Sequence, residues 1–350
     1  MHIGVLTSGG DAPGMNAAIR ALVKAATGAG HAIVGFGRGY EGLIAGDGVP
    51  LALSAVDGLS RVGGTVLGSA RCKEFETPEG RARAVAQIER HGLGGLVVIG
   101  GNGSLTGAHV LSQVTPCRVV GIPASIDNDL GHTGLAIGVD TAVNTIVEAC
   151  DRIADTATAH RRVFVIEVMG RKCGFLAMRG GIAADADAIL VPERGWDRDR
   201  ILAVCTALLE RSFAPGRNKQ RVLIVKAEGV PYDTRELVAD LGRWLAPHGV
   251  DARETVLGHL VRGGSPSALD RLVAQRLAFG ALHAIEDGAT DVMLAWEPVG
   301  EPGAPTRDRS VRRVPLAEML SETTRLLDGS SPVTRSRLAL LDLADGLLAL

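Results

Sequence analysis

Two apolar runs in the middle of the chain, Val97-Val98-Ile99 and Val119-Val120-Gly121-Ile122, each stop abruptly at a short polar turn. Runs rich in β-branched residues, with no polar alternation, suit parallel strands buried on both faces. The turns that follow are Gly100-Gly101-Asn102-Gly103-Ser104 and Pro123-Ala124-Ser125-Ile126-Asp127-Asn128-Asp129. They then fall at carboxyl ends of strands in one sheet, the edge where open α/β sheets bind ligands. The first turn offers backbone N–H groups with little side-chain bulk, and the second carries two acids. Together they suit a phosphate cradle beside a carboxylate able to hold a metal or accept a proton.

The same pattern recurs along the chain. Ile3 to Leu6 runs into Thr7-Ser8-Gly9-Gly10-Asp11-Ala12-Pro13-Gly14, and Met15 to Ala26 follows with helical spacing. A strand, a glycine turn and a helix aim unpaired N–H groups at an anion. The turn has neither the Walker pattern nor the G-x-G-x-x-G spacing, and a Gly-Gly pair alone is more often a tight connection. His31 to Phe36 predicts a strand and 37–43 a loop carrying Tyr40, and Gly63-Gly64 opens a glycine-rich segment that delivers Arg71. Val139 to Thr158 predicts a long helix, Arg161 to Val168 a strand ending at Met169-Gly170-Arg171, and 298–314 a Pro- and Gly-rich connection. Strand and helix alternate throughout, so the fold class is α/β with doubly wound, mainly parallel sheets.

Composition narrows the function classes. Lys and Arg number 37 against 39 Asp and Glu, a net charge of -2, so there is no basic nucleic-acid footprint. The five cysteines form no C-x-x-C pair, which suits reduced thiols in a cytoplasmic protein. No apolar run is long enough to span a bilayer, and the N-terminus lacks the basic region of a signal peptide. Histidines and cysteines are too scattered for zinc. Three glycine turns, several arginines beside turns (Arg71, Arg162, Arg171, Arg253, Arg262) and two acids make an inventory for phosphoryl transfer, where positioning and charge neutralisation are most of the work.

The segments GVLTSGGDAPGMNAAIR (4–20), GGTVLGSAR (63–71), VVIGGNGS (97–104), IPASIDND (122–129), EVMGRKCG (167–174) and TVLGHLVRGGSP (255–266) resemble, in order, the bacterial ATP-dependent 6-phosphofructokinases. The resemblance implies transfer of the γ-phosphate of ATP to the 1-hydroxyl of fructose 6-phosphate with Mg²⁺. It implies two domains, an ATP-binding one at 1–138 plus 256–310 and a sugar-phosphate one at 139–255 plus 311–350, with the active site in the cleft between them. By motif, Asp127 is expected as general base, Ser125 near the transferred group, and Asp129 with Asn102 at the metal. Gly9, Tyr40, Arg71, Cys72, Gly101, Asn102, Gly103 and Ser104 are expected to line the ATP site. Arg71 is also expected to neutralise charge on the moving phosphoryl group, and Arg171 is expected among the catalytic residues. Met169, Gly170, Arg171, Glu228, His259 and Arg262 are expected around the sugar phosphate. Arg162 and Arg253 match positions that reach the 6-phosphate from a neighbouring subunit, which implies a homotetramer with shared sites.

The sequence departs from the family in two places. Asn102 stands where the family usually has Asp, which removes a charge that hard cations favour and implies altered Mg²⁺ dependence. Arg20 and Lys24 keep basic residues on the first helix, where the family binds an effector phosphate, but Leu53 and Ala154 fall where it uses arginines, implying weak or different control. Gly103 and Ala124 stand where pyrophosphate-dependent relatives carry Asp and Lys, which favours ATP as donor. A pyrophosphate donor, another sugar phosphate such as sedoheptulose 7-phosphate, and a non-catalytic regulatory paralogue remain the alternatives.

Overall fold

The computed structural model describes residues 1–217, 219–298 and 302–348; 299–301 of the predicted connection and the last two residues, Ala349 and Leu350, lie outside them. In chain order the strands are β1 (His2–Ser8), β2 (Ala32–Phe36), β3 (Gly48–Pro50), β4 (Leu93–Gly100), β5 (Arg118–Pro123), β6 (Val163–Val168), β7 (Ala188–Leu190), β8 (Val222–Ala227), β9 (Ala252–Val256), β10 (Val292–Trp296), β11 (Ala304–Pro305) and β12 (Val311–Pro315). The helices are α1 (Met15–Gly28), α2 (Tyr40–Ala45), α3 (Pro78–Arg90), α4 (Asn102–Ser112), α5 (Val139–His160), α6 (Phe175–Ala183), α7 (Arg198–Ser212), α8 (Thr234–Leu245), α9 (Ala268–Glu286), α10 (Leu316–Leu327) and α11 (Pro332–Leu348).

The chain divides into two compact units, 1–141 with 262–325 and 142–261 with 326–350. The first is built on an eight-stranded sheet in the order β11-β12-β10-β5-β4-β1-β2-β3. Its central strands pair in parallel, β1 with β2 and β4, and β5 with β4 and β10. Residues 3–8 of β1 and 95–100 of β4 are fully enclosed, as unalternating apolar strands demand. Each such Val, Ile or Leu contributes about 2 kcal/mol over leaving it exposed. From β1 the chain passes through α1 to β2 on one side, and from β4 through α4 to β5 on the other. The direction of winding therefore reverses between β1 and β4. At such a point the connections part and leave a crevice at the carboxyl ends, here residues 9–10 and 100–104.

The second unit carries a four-stranded parallel sheet, β7-β8-β6-β9. The two α/β sheets agree with the predicted class, but three local expectations change. Residues 37–43 were expected as loop, yet Tyr40–Ala45 is a short helix that ends at left-handed Gly46. The connection at 298–314 contains β11 and β12, and β12 runs antiparallel along β10, pairing Val311 with Trp296 and Pro315 with Val292. That pairing places 311–325 in the first unit, whereas 256–261 follow β9 into the second. Cross-strand partners, absent from local sequence, decide both boundaries. Among the described residues no helix is long and apolar enough to cross a membrane.

Candidate active site

The first unit gathers its glycine turns by hydrogen bonds made at their edges. Gly9 adopts a left-handed φ of 84°, and its carbonyl accepts a hydrogen bond from the Ser69 hydroxyl. Thr7 Oγ1 donates to the Gly68 carbonyl at 2.8 Å, which leaves it to accept from Thr65 Oγ1 at 2.8 Å. Buried Asn16, in the first turn of α1, donates to the carbonyls of Val62 and Gly63 and accepts from the Val66 N–H at 2.7 Å. The 62–69 segment is thus laid along the end of β1. A Cβ on Gly100 would stand 2.5 Å from the Ser8 carbonyl, so only glycine lets β4 leave the sheet this close to β1. Arg262 reaches the same place: its Nη1 donates to the Asp11 carbonyl at 3.1 Å, beside Gly10.

Helix α4 starts immediately after Gly101, and no side chain caps that end. The N–H groups of Asn102, Gly103 and Ser104 have no intrahelical acceptor and lie at the positive end of an 11-residue helix. Such an end suits an anion. Tyr40 lies behind this end. Its ring is stacked on Phe75 at 3.9 Å and its hydroxyl donates to the Ser104 carbonyl at 2.7 Å. Burial pushes the phenol's pKa far upward, so that bond survives through the alkaline range. The expected ligand-facing aromatic is therefore buried, and it supports the turn from behind. Arg71 is exposed and Cys72 half-buried, just beyond Ser69.

Strand β5 brings the acidic turn alongside. The Ala124 N–H donates to the Gly100 carbonyl at 3.0 Å, so the 101–104 and 123–129 turns are held together from their roots. Ser125 Oγ donates to Asp129 Oδ1 at 3.2 Å, and Asp127 is buried. Asn128 has a left-handed φ of 49° and staples the loop, accepting from the Ala136 N–H at 2.9 Å and donating to the Gly134 carbonyl at 3.2 Å. Asparagine tolerates that backbone and bonds across turns, which makes Asn128 the pivot between the two acids.

In the second unit, β6 and β8 lie side by side and their exits interlock. Glu228 Oε1 accepts from the Gly170 N–H at 3.1 Å and the Arg171 N–H at 2.7 Å. Gly170 (φ 149°) and Arg171 (φ 50°) are both in the region that favours glycine. The Arg171 side chain is exposed, Met169 is half-buried and Gly170 is buried. A Cβ on Gly229 would lie 1.8 Å from the Arg171 carbonyl, so no larger residue fits. Glu228 thus fixes the backbone of the turn that presents Arg171. His259 is exposed on the 3-10 turn Gly258–Arg262.

A family model described as Phosphofructokinase matches residues 2–285. The chain belongs to the phosphofructokinase family. It is 45% identical over 331 residues to a Thermotoga petrophila protein named ATP-dependent 6-phosphofructokinase, covering 93% of this chain and 96% of that one. It is 46% identical to the Thermus thermophilus ATP-dependent 6-phosphofructokinase 1, covering 93% and 99%. Among solved structures it is similar to Saccharomyces cerevisiae phosphofructokinase, with a TM-score of 0.86 and 30% identity over 97% of this chain; it spans about half, 49%, of that chain.

In this member of the family the expected sugar-phosphate residues of the second unit form two clusters. Arg162 precedes β6, and Arg253 is paired with Phe164 at the start of β9. Both meet Asp251, Arg253 Nη2 at 3.0 Å and Arg162 Nε at 3.8 Å. Met169, Gly170, Arg171 and Glu228 lie beyond the opposite ends of these strands. At 3.3 Å per residue the six residues of β6 separate the clusters by about 20 Å. The residues missed by sequence reasoning are the fasteners Thr7, Asn16, Thr65, Ser69 and Asn128. Asn16, a buried amide within an apolar helix face, carried the clearest signal.

Proposed function

We propose that this chain transfers the γ-phosphate of ATP to the 1-hydroxyl of fructose 6-phosphate, giving fructose 1,6-bisphosphate in glycolysis. The observation that carries the proposal is the joining of the uncapped α4 end to the Ser125–Asp129 turn at the point where the first sheet reverses its winding. It puts donors for a polyphosphate next to a buried carboxylate, in a chain 45% identical to a protein named for this reaction.

Asp127 takes the proton of the attacking hydroxyl, and Ser125 lies against the transferred group. Gly9, Gly101, Asn102, Gly103, Ser104 and Cys72 line the nucleotide phosphates, and Tyr40 supports them. Arg71 and Arg171 meet the charge that develops on the phosphoryl group, where fixed charge lowers a barrier most. Met169, Gly170, Arg171, Glu228, His259 and Arg262 bind the sugar phosphate. Arg262 also braces the Gly10–Asp11 turn.

The donor set fits Mg²⁺. Asp129 and Asn102 offer hard oxygens, and the described residues contain no cluster of three or more His, Cys, Asp or Glu that could enclose an ion. Mg²⁺ commonly rests on one or two carboxylates and completes its shell with water and phosphate. When bound it neutralises nucleotide charge.

The 20 Å between the Arg162–Arg253 pair and Arg171 supports an oligomer, a homotetramer in which that pair serves a neighbouring subunit's sugar phosphate. None of the described cysteines is joined in a disulfide, which supports a cytoplasmic location.

A coupled assay of the purified protein, with ATP or pyrophosphate against a panel of sugar phosphates, tests the proposal. Turnover of ATP with fructose 6-phosphate is expected. Turnover with pyrophosphate and not ATP, or only with another sugar phosphate, overturns it.

A further inference from the structure

The C-terminal helix α11 packs within the second unit on the back of the turn that ends β6. Arg337 donates from Nη1 to the Cys173 sulfur at 3.6 Å, and its guanidinium lies 4.6 Å over the ring of Phe175, the first residue of α6. Further along the helix, Asp342 and Asp345 grip Arg194, at 3.0 Å to Nη1 and 2.5 Å to Nη2. Arg194 is nearly buried, at 11% side-chain exposure, and stacks over Trp196. Its neighbour Glu193 accepts the Gly174 N–H at 2.7 Å. Leu341, fully buried, seats the helix between these two polar grips.

The turn is held from two sides. Its backbone passes through left-handed positions at Gly170 and Arg171, and the Cys173 N–H closes it onto the Gly170 carbonyl at 2.7 Å. Left-handed backbone at a non-glycine residue persists only where its surroundings over-determine it. Glu228 secures the front of the turn, at 170 and 171; α11 secures its rear, at 173 through Arg337 and at 174 through Arg194 and Glu193.

We infer that α11 is a positioning element for sugar-phosphate binding, with Arg337 and the Arg194–Asp342–Asp345 cluster setting the Met169–Gly174 turn. The inference rests on the assignment of that turn to the sugar phosphate. Arg337 touches no substrate; it acts through Cys173 and Phe175 on the residues that do.

Full-length Arg337→Ala, Arg337→Lys and an Asp342→Asn, Asp345→Asn double variant test this beside Arg171→Ala. Arg337→Ala and the double variant raise KM for fructose 6-phosphate roughly five- to twentyfold, the scale of a sub-ångström displacement of binding groups. KM for ATP stays within about twofold, and Arg337→Lys recovers part of the loss. A fall in melting temperature with both KM values unmoved would make α11 a stability element and overturn the inference. If Arg171→Ala raises the sugar-phosphate KM and neither α11 variant does, the inference alone fails. If Arg171→Ala leaves that KM unmoved, the assignment of the turn fails and the inference goes with it. The aspartates are partly exposed, so the double variant remains readable should Arg337→Ala not fold.

Discussion

The phenol of Tyr40 donates to the carbonyl oxygen of Ser104 across 2.7 Å, and this one bond ties α2 to the first turn of α4. Because Tyr40 is only 4% exposed, its effect on a nucleotide passes through that backbone and not through its ring. Tyr40→Phe keeps the stack on Phe75 and removes the bond. Stability should fall by about 1 kcal/mol, read as a lower urea midpoint at unchanged slope, and KM for ATP should rise by about two- to threefold. A change confined to the sugar-phosphate KM would contradict the placement.

Asp127 is the acid enclosed by the turn, while Asp129 is partly open and bonded to Ser125. Asp127→Asn is nearly isosteric, so folding should persist. Loss of a general base costs on the order of 10²- to 10⁴-fold in kcat with KM values little altered. Retention of more than a tenth of wild-type kcat would remove Asp127 from that role.

Asn102 opens α4 with an amide where a carboxylate would be favoured both by the helix end and by a hard cation. In Asn102→Asp the Mg²⁺ concentration for half-maximal rate should drop several-fold. Superimposable titrations of the two proteins would show that the amide is not at the metal.

The separation of Arg162 from Arg171 makes a mixing experiment decisive. Arg162→Ala and Arg171→Ala should each lose most of their activity at a fixed, sub-saturating concentration of fructose 6-phosphate. Refolded together at equal amounts, random pairing around a twofold axis restores roughly a quarter of the sites. If activity does not return although mixed oligomers form, each subunit builds its site alone.

Arg276 forks onto Asp308 and lies over the Trp296 ring at 4.6 Å, closing the segment before β12. The hydrogen bonds from Arg276 hold the Asp308 carboxyl below its ordinary pKa, against the opposing effect of burial. A depressed folded-state pKa stabilises above the unfolded value, near 4, and that contribution disappears as pH falls through the folded value. Asp308→Asn should therefore lower stability at pH 7 by about 1 kcal/mol, allowing for solvent screening, and converge on wild type once the pH has fallen through the depressed carboxyl pKa. Urea midpoints on either side of that pKa check this; a constant difference would assign the effect to packing.

Much of the molecule was legible from residues alone. Unalternating runs such as Val97–Ile99 predicted buried parallel strands, and the glycine turns after them predicted where the sheet's ligand edge lies, because burial on both faces and backbone freedom are local demands. The six motifs in order resembled those of the phosphofructokinases, the family to which the chain belongs. What sequence could not place were contacts made at a distance. The ring of Tyr40 was expected to face a ligand and is buried against Phe75 and the Ser104 carbonyl. Residues 311–315 look like the end of a connection until β10 supplies their partner. Asn16 and Asn128 are ordinary amides until the backbone groups they satisfy come into reach.

The sequence by itself determined the buried parallel strands β1, β4 and β5, the turns that end them and the inventory of acids, arginines and glycines. Tertiary structure alone decided which turns adjoin, that Arg162 and Arg253 gather at one end of their sheet with Arg171 at the other, and that α11 lies behind the Met169–Gly174 turn. The physical reason is that strand formation and backbone freedom follow from neighbours in the chain. Register, burial of a particular ring and the pairing of charges depend on residues brought together from far apart, such as Cys173 and Arg337.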